Sequence, residues 1–124
     1  MNPILIKSLN EKFPHQFEMI TDGKGSYIKF PAKSHDFGDV IIYEDYETYI
    51  GCYTVEIGKL THIHLDMSDK MVNESVEEFT SSLEALFSDR LICFNNGWFL
   101  KGDDEYSNIN SDLFVWSGVY RILK

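Results

Sequence analysis

The chain has 124 residues and carries 20 Asp and Glu against 11 Lys and Arg, a net charge of -9. That length builds one domain around a single core, and a content of 44% hydrophobic and 15% aromatic residues excludes a disordered chain. The charge disfavours nucleic acid and anionic membrane as partners and favours something basic.

The first element expected is a short amphipathic helix over residues 2–13, where Ile4, Leu5, Leu9 and Phe13 fall at near-helical spacing. Pro3 suits its first turn and Pro14 closes it. Its apolar run Ile4-Leu5-Ile6 is broken by Lys7, too short for a signal-peptide core, and no apolar run long enough to span a membrane follows. Phe17 to Ile20, the turn Thr21-Asp22-Gly23-Lys24-Gly25 and Ser26 to Phe30 read as a hairpin, since glycine supplies the positive φ of a tight turn. Asp22 to Ser26 resembles a phosphate loop only superficially, because it lacks the P-loop spacing and leads into a strand.

Pro31 to Gly38 is a loop. Val40 to Tyr43, Thr48 to Ile57 and Leu60 to Leu65 are rich in β-branched and aromatic residues and predict three antiparallel strands in a meander. The second helix rests on Val76, Phe79, Leu83, Leu86 and Phe87, which form one apolar stripe. Asn73 is its expected cap, and Glu74, Glu77 and Glu78 suit the positive end of its dipole. Leu91 to Phe94, Asn95-Asn96-Gly97 and Trp98 to Leu100 form a second hairpin. Lys101 to Asp112 is an acidic loop, and Leu113 to Ile122 a final aromatic strand interrupted at Ser117-Gly118. Together these predict a single α+β domain over residues 1–124: one antiparallel sheet of about six to eight strands packed against two helices. With no export signal, Cys52 and Cys93 read as reduced, buried thiols rather than a bridge, and the chain as cytoplasmic.

The negative charge is uneven. Residues 36–112 hold 17 acids and four basic residues, whereas residues 1–35 hold five lysines and three acids. Two acidic turns interleave tyrosine with carboxylate: Tyr43, Glu44, Asp45, Tyr46, Glu47 and Tyr49, and then Asp103, Asp104, Glu105 and Tyr106. Carboxylates steer a cationic protein into encounter, and tyrosine rings supply the desolvated contact area.

Signals for catalysis are weaker. Thr61-His62-Ile63-His64-Leu65-Asp66 on a strand puts His62, His64 and Asp66 on one face, with Ile63 and Leu65 toward the core. Two imidazoles and a carboxylate are a partial zinc or iron ligand set that needs further ligands, and only His15 and His35 remain. Neither cysteine lies at a helix start or beside a histidine, and no nucleophile elbow occurs. Phe94, Trp98, Phe99, Phe114, Trp116 and Tyr120 are core residues by default, with any remainder lining a ligand pocket or anchoring an interface.

In size, acidity and α+β plan the chain resembles the immunity proteins of bacterial polymorphic-toxin and contact-dependent growth-inhibition systems. Gly38-Asp39-Val40-Ile41-Ile42-Tyr43, Thr61-His62-x-His64 and Val115-Trp116-Ser117-Gly118 also resemble a family of small bacterial proteins. That family runs Thr-His-Gly-His-Phe where this chain has Ile63 and Leu65. The resemblance implies a non-enzymatic protein, without cofactor, that neutralises a basic toxin, a nuclease domain in the leading case. A small metal-dependent enzyme using His62, His64 and Asp66, or a ligand-binding module with an aromatic pocket, are the alternative readings.

Overall fold

A computed structural model of the chain describes residues 2–23, 25–44, 52–66, 72–103 and 109–123. Helix α1 spans Pro3–Lys12. The Asn2 side chain caps it by accepting from the Ile4 amide at 2.8 Å, and Pro3 occupies its first turn, where a missing N–H costs nothing. Phe13 leaves helical geometry directly before Pro14, as the steric clash of a following proline requires.

Five strands follow: β1 (Glu18–Asp22), β2 (Gly25–Phe30), β3 (Val40–Glu44), β4 (Cys52–Ile57) and β5 (Thr61–Asp66). They form an antiparallel meander in chain order. Helix α2 (Val72–Phe87) comes next, then β6 (Leu91–Phe94), β7 (Gly97–Leu100), β8 (Leu113–Val115) and β9 (Gly118–Arg121), which build a second antiparallel sheet in the order β7-β6-β8-β9. The α+β plan and the hairpins are those expected from sequence. The strands number nine among the described residues, however, and they divide between two sheets instead of sharing one. The expected final strand is two, because the chain reverses at Trp116-Ser117 and Gly118 takes a φ of +150°. Asn73 lies inside α2, which already begins at Val72, so it is not the residue before the helix. The expected strand residues Thr48 to Gly51 lie outside the described residues.

The main core sits between one face of the five-stranded sheet and both helices. Ile28, Phe30, Val40, Ile42, Val55 and Ile57 alternate inward and meet Leu5 and Leu9 of α1 and Val76, Phe79, Leu83 and Leu86 of α2. A chain of aromatic rings joins every layer. Phe13 meets Phe30 and Phe87 edge-on, with centroids 5.7 and 5.4 Å apart, and Phe87 meets Trp116 at 4.9 Å, which in turn meets Phe37 at 5.5 Å. The four-stranded sheet contributes Cys93 and Trp116 to this core and keeps a smaller cluster of Ile92, Phe99, Leu113 and Val115 on its other side. Asp89, after α2, accepts from the amide and the hydroxyl of Ser117, which clamps the helix end to the β8–β9 turn.

The β4–β5 turn depends on glycine. Gly58 has a φ of +59° and donates to Asp39 O at 3.0 Å, and a Cβ there would collide with the Phe37 carbonyl. Both the strained φ and the backbone clash oppose any side chain. Gly58→Ala is therefore expected to lower unfolding free energy by about 2–4 kcal/mol, read from urea denaturation, with the truncation Leu60→Ala a milder change at a half-buried site.

Candidate functional site

Because the helices and the second sheet pack on one face of the five-stranded sheet, its opposite face carries the residues that alternate outward. Strand register aligns them in rows. One row runs Ile20, Tyr27, Tyr43, Thr54, His64, and the next Glu18, Lys29, Ile41, Glu56, His62. Near the β1–β2 side these residues enclose an open groove of about 290 Å³ whose walls are Asp22, Tyr27, Ile41, Tyr43, Glu44 and Glu56. Two phenol rings and an isoleucine thus sit beside Asp22 and Glu56 on a rigid, hydrogen-bonded platform, and Glu44, which alternates to the core side opposite Tyr53, borders the groove at the end of β3. Tyr27, Ile41 and Tyr43 are half-buried, so their side chains are held by neighbours while one side stays open.

Tyr43 and Glu44 of the first acidic turn belong to this groove; Asp45, Tyr46, Glu47 and Tyr49 lie outside the described residues. Of the second turn, Asp103 is described and exposed after β7 of the other sheet, and Asp104, Glu105 and Tyr106 lie outside the described residues. Asp22, Tyr27, Ile41 and Glu56 were not legible as members, since they reach Tyr43 only through pairing of β1 to β4. A signal existed in the alternation of each strand, which places Tyr27 and Ile41 outward once the turns fix register.

Several acids have structural duties that take them out of any binding inventory. Asp39 accepts from the Ala32 amide at 2.7 Å and pairs with Lys29 at 3.7 Å. Glu84 pairs with Lys12 at 3.5 Å, Asp112 accepts from the Leu123 amide at 2.8 Å, and Asp89 holds Ser117.

His62, His64 and Asp66 project together from β5, all exposed, while Ile63 and Leu65 turn toward the core, as the alternation requires. The two imidazoles meet edge to face at 5.2 Å, and His64 Nδ1 lies 3.4 Å from Thr54 Oγ1. Among the described residues no group of three or more His, Cys, Asp or Glu converges to hold a metal ion. Zinc added at micromolar concentration is expected to give no saturable binding heat by calorimetry; a stoichiometric heat lost in His62→Ala would establish a site on this strand.

The Cys93 thiol is no nucleophile of lowered pKa. Cys52 is half-buried, not buried as its apolar surroundings suggested, because it starts an outward-facing row at the sheet end. Cys93 is fully buried, and burial pushes its thiol from 9.0 up to about 12. Among the aromatics, Trp116 and Phe99 are buried, while Trp98 and Tyr120 are 42% and 48% exposed. Among the described residues no helix is long and apolar enough to cross a membrane.

The Cys93 shift has a signed consequence. Its native pKa lies above its unfolded value, so the stabilising effect of the neutral thiol is whole below about pH 9 and is lost as pH rises toward 12. Denaturation of wild type and Cys93→Ala at pH 8 and pH 10 is expected to show the wild-type advantage shrinking, by up to about 1.4 kcal/mol per pH unit. A constant difference would mean the native thiol ionises normally. Set against known proteins, the chain matches no family model, no curated protein and no solved structure.

Proposed function

We propose that this protein is an immunity-type inhibitor that binds a basic protein toxin, a nuclease domain in the leading case, through the open face of its five-stranded sheet. The observation that carries this reading is the groove in which Tyr27, Tyr43 and Ile41 stand among Asp22, Glu44 and Glu56. A nuclease presents a cationic cleft because its substrate is a polyanion, and a rigid carboxylate-bearing surface competes for that cleft. The net charge of -9 accelerates encounter, and the rings furnish the contact that resists dissociation. Mounting the residues on strands lowers the ordering cost of binding compared with a flexible loop.

The sheet face separates charge from contact, so the two are testable apart. Against a basic nuclease toxin encoded immediately upstream, as the proposal requires, Glu44→Lys with Glu56→Lys is expected to slow association at least about tenfold and flatten its salt dependence. Tyr43→Ala is expected to leave association within about threefold and to speed dissociation at least about tenfold. Surface plasmon resonance at two ionic strengths reads both. Unchanged kinetics in all variants would remove the sheet face from the interface, and absence of any binding by the upstream product would remove the immunity reading.

A further inference from the structure

On the side of the molecule away from the open sheet face, the two sheets present their edge strands, β5 and β7, to either side of α2. They converge where the Asn96 amide donates to Leu60 O at 2.9 Å. Beyond that bond lies a cleft with an apolar lining of Ile57, Ile63, Phe79, Leu83, Leu86 and Trp98. Its volume is about 70 Å³, room for the end of one aliphatic side chain. Trp98 stands at the mouth, 42% exposed, with Leu100 beside it at 57%. Both side chains face the α2 side because β7 alternates, and Trp98 is placed opposite Cys93 in register.

The rim is charged on one side. Ser82 borders the cleft and also a depression walled by Glu74, Glu77, Glu78 and Ser81, so an acidic shoulder on α2 adjoins the cleft at Ser82, whereas Arg90 lines the surface that Trp98 and Leu100 share. Among the described residues, neither the Lys12–Glu84 nor the Lys29–Asp39 ion pair involves these three glutamates. An exposed tryptophan over an apolar notch, flanked by carboxylates one to two helical turns from Ser82, is the arrangement of a protein hot spot and not of a solvated helix face.

We infer that this cleft is a second docking surface, independent of the sheet-face reading, for a cationic amphipathic segment of a protein partner. An aliphatic side chain of that segment seats against Trp98, and its lysines or arginines face Glu74, Glu77 and Glu78. Charge complementarity sets the choice, because the same shoulder repels anionic lipid and nucleic acid.

A synthetic amphipathic Leu/Lys helix peptide, with a Leu/Glu peptide of identical apolar pattern as its control, tests the assignment on the whole protein. Trp116 is buried and Trp98 exposed, so iodide quenching reports chiefly on Trp98. The Leu/Lys peptide is expected to blue-shift the emission and shield Trp98 with micromolar affinity, and the Leu/Glu peptide to do neither. By calorimetry, Trp98→Ala and the triple variant Glu74→Lys, Glu77→Lys, Glu78→Lys each weaken binding at least about tenfold. Ser82→Arg, an exposed helix position that fills the cleft mouth, does the same and serves if Trp98→Ala loses its fold by circular dichroism. Glu44→Lys with Glu56→Lys changes this binding less than about twofold. The proposal is overturned if no peptide binds, if the Leu/Glu peptide binds equally, or if the sheet-face variant weakens binding as much as Trp98→Ala. A blue shift with phosphatidylglycerol vesicles in place of the peptide would make the surface a membrane contact and overturn it as well.

Discussion

The junction of Phe13, Phe30, Phe87, Trp116 and Phe37 is the constraint on which the rest of the arrangement hangs. Each ring comes from a different part of the chain: the end of α1, strand β2, the end of α2, the β8–β9 turn and the loop before β3. Edge-to-face contacts of this kind contribute about 0.5–1.5 kcal/mol apiece beyond the area they bury. Their directional geometry matters as much as their strength. It fixes where both helices end relative to β2 and brings the second sheet to the same side as the helices. The Asp89–Ser117 clamp secures that placement from outside the core. The opposite face of the five-stranded sheet is left as a surface by the same arrangement, so core packing and exposed rows are two results of one alternation.

Electrostatics gains meaning once this frame is fixed. A net charge of -9 suggests a uniformly anionic body, but Asp39, Glu84, Asp89 and Asp112 each hold a lysine, an amide or a hydroxyl. They stabilise loops and helix contacts and would be present whatever the partner. Glu56 differs from them in position: it stands in the middle of a strand, in an outward row beside Ile41 and opposite His62. A carboxylate at that place contributes nothing to a turn or a cap. Its neighbours Tyr27 and Tyr43 are large rings that alternation alone would have allowed to be smaller polar residues. Aromatic and acidic side chains on a sheet face turned from the core are not required by folding, and the proposed inhibitor reading would give them a contact to make.

Much of the fold was legible because the signals were local. The α2 stripe, the two glycine-bearing hairpins and the His62-Ile63-His64-Leu65 alternation each depend on neighbours a few residues apart. The division into two sheets was not, since sheet membership depends on which edges meet across α2, and Thr61–Asp66 and Leu91–Phe94 look alike as strands. Ser117-Gly118 was visible as a break, yet only the return of β9 along β8 shows that the break is a hairpin turn. The site shows the same limit. Tyr43 and Glu44 stood out within an acidic, tyrosine-rich run, whereas Asp22 and Glu56 lie far from that run in sequence and join it only by register. Cys52 looked buried because its neighbours are apolar, but alternation gives it an outward row.

The difference between a loop-borne and a sheet-borne surface changes the physics expected of recognition. Tyrosine and carboxylate on a free loop must lose backbone freedom on binding, at roughly 1–2 kcal/mol per residue ordered. On β2, β3 and β4 the backbone is already hydrogen-bonded on both sides, since each of these strands has two neighbours. Only side-chain rotamers remain to be fixed, and half-burial has restricted those of Tyr27, Ile41 and Tyr43. The central strands therefore give the groove a preformed shape, while acids at its margins, Asp22 at the β1 end and Glu44 at the β3 end, extend its field outward. Long-range attraction and short-range fit are supplied by different atoms on one platform. Under the proposed inhibitor reading, such a division would let a partner arrive quickly from any direction and still be selected by the rings it meets last.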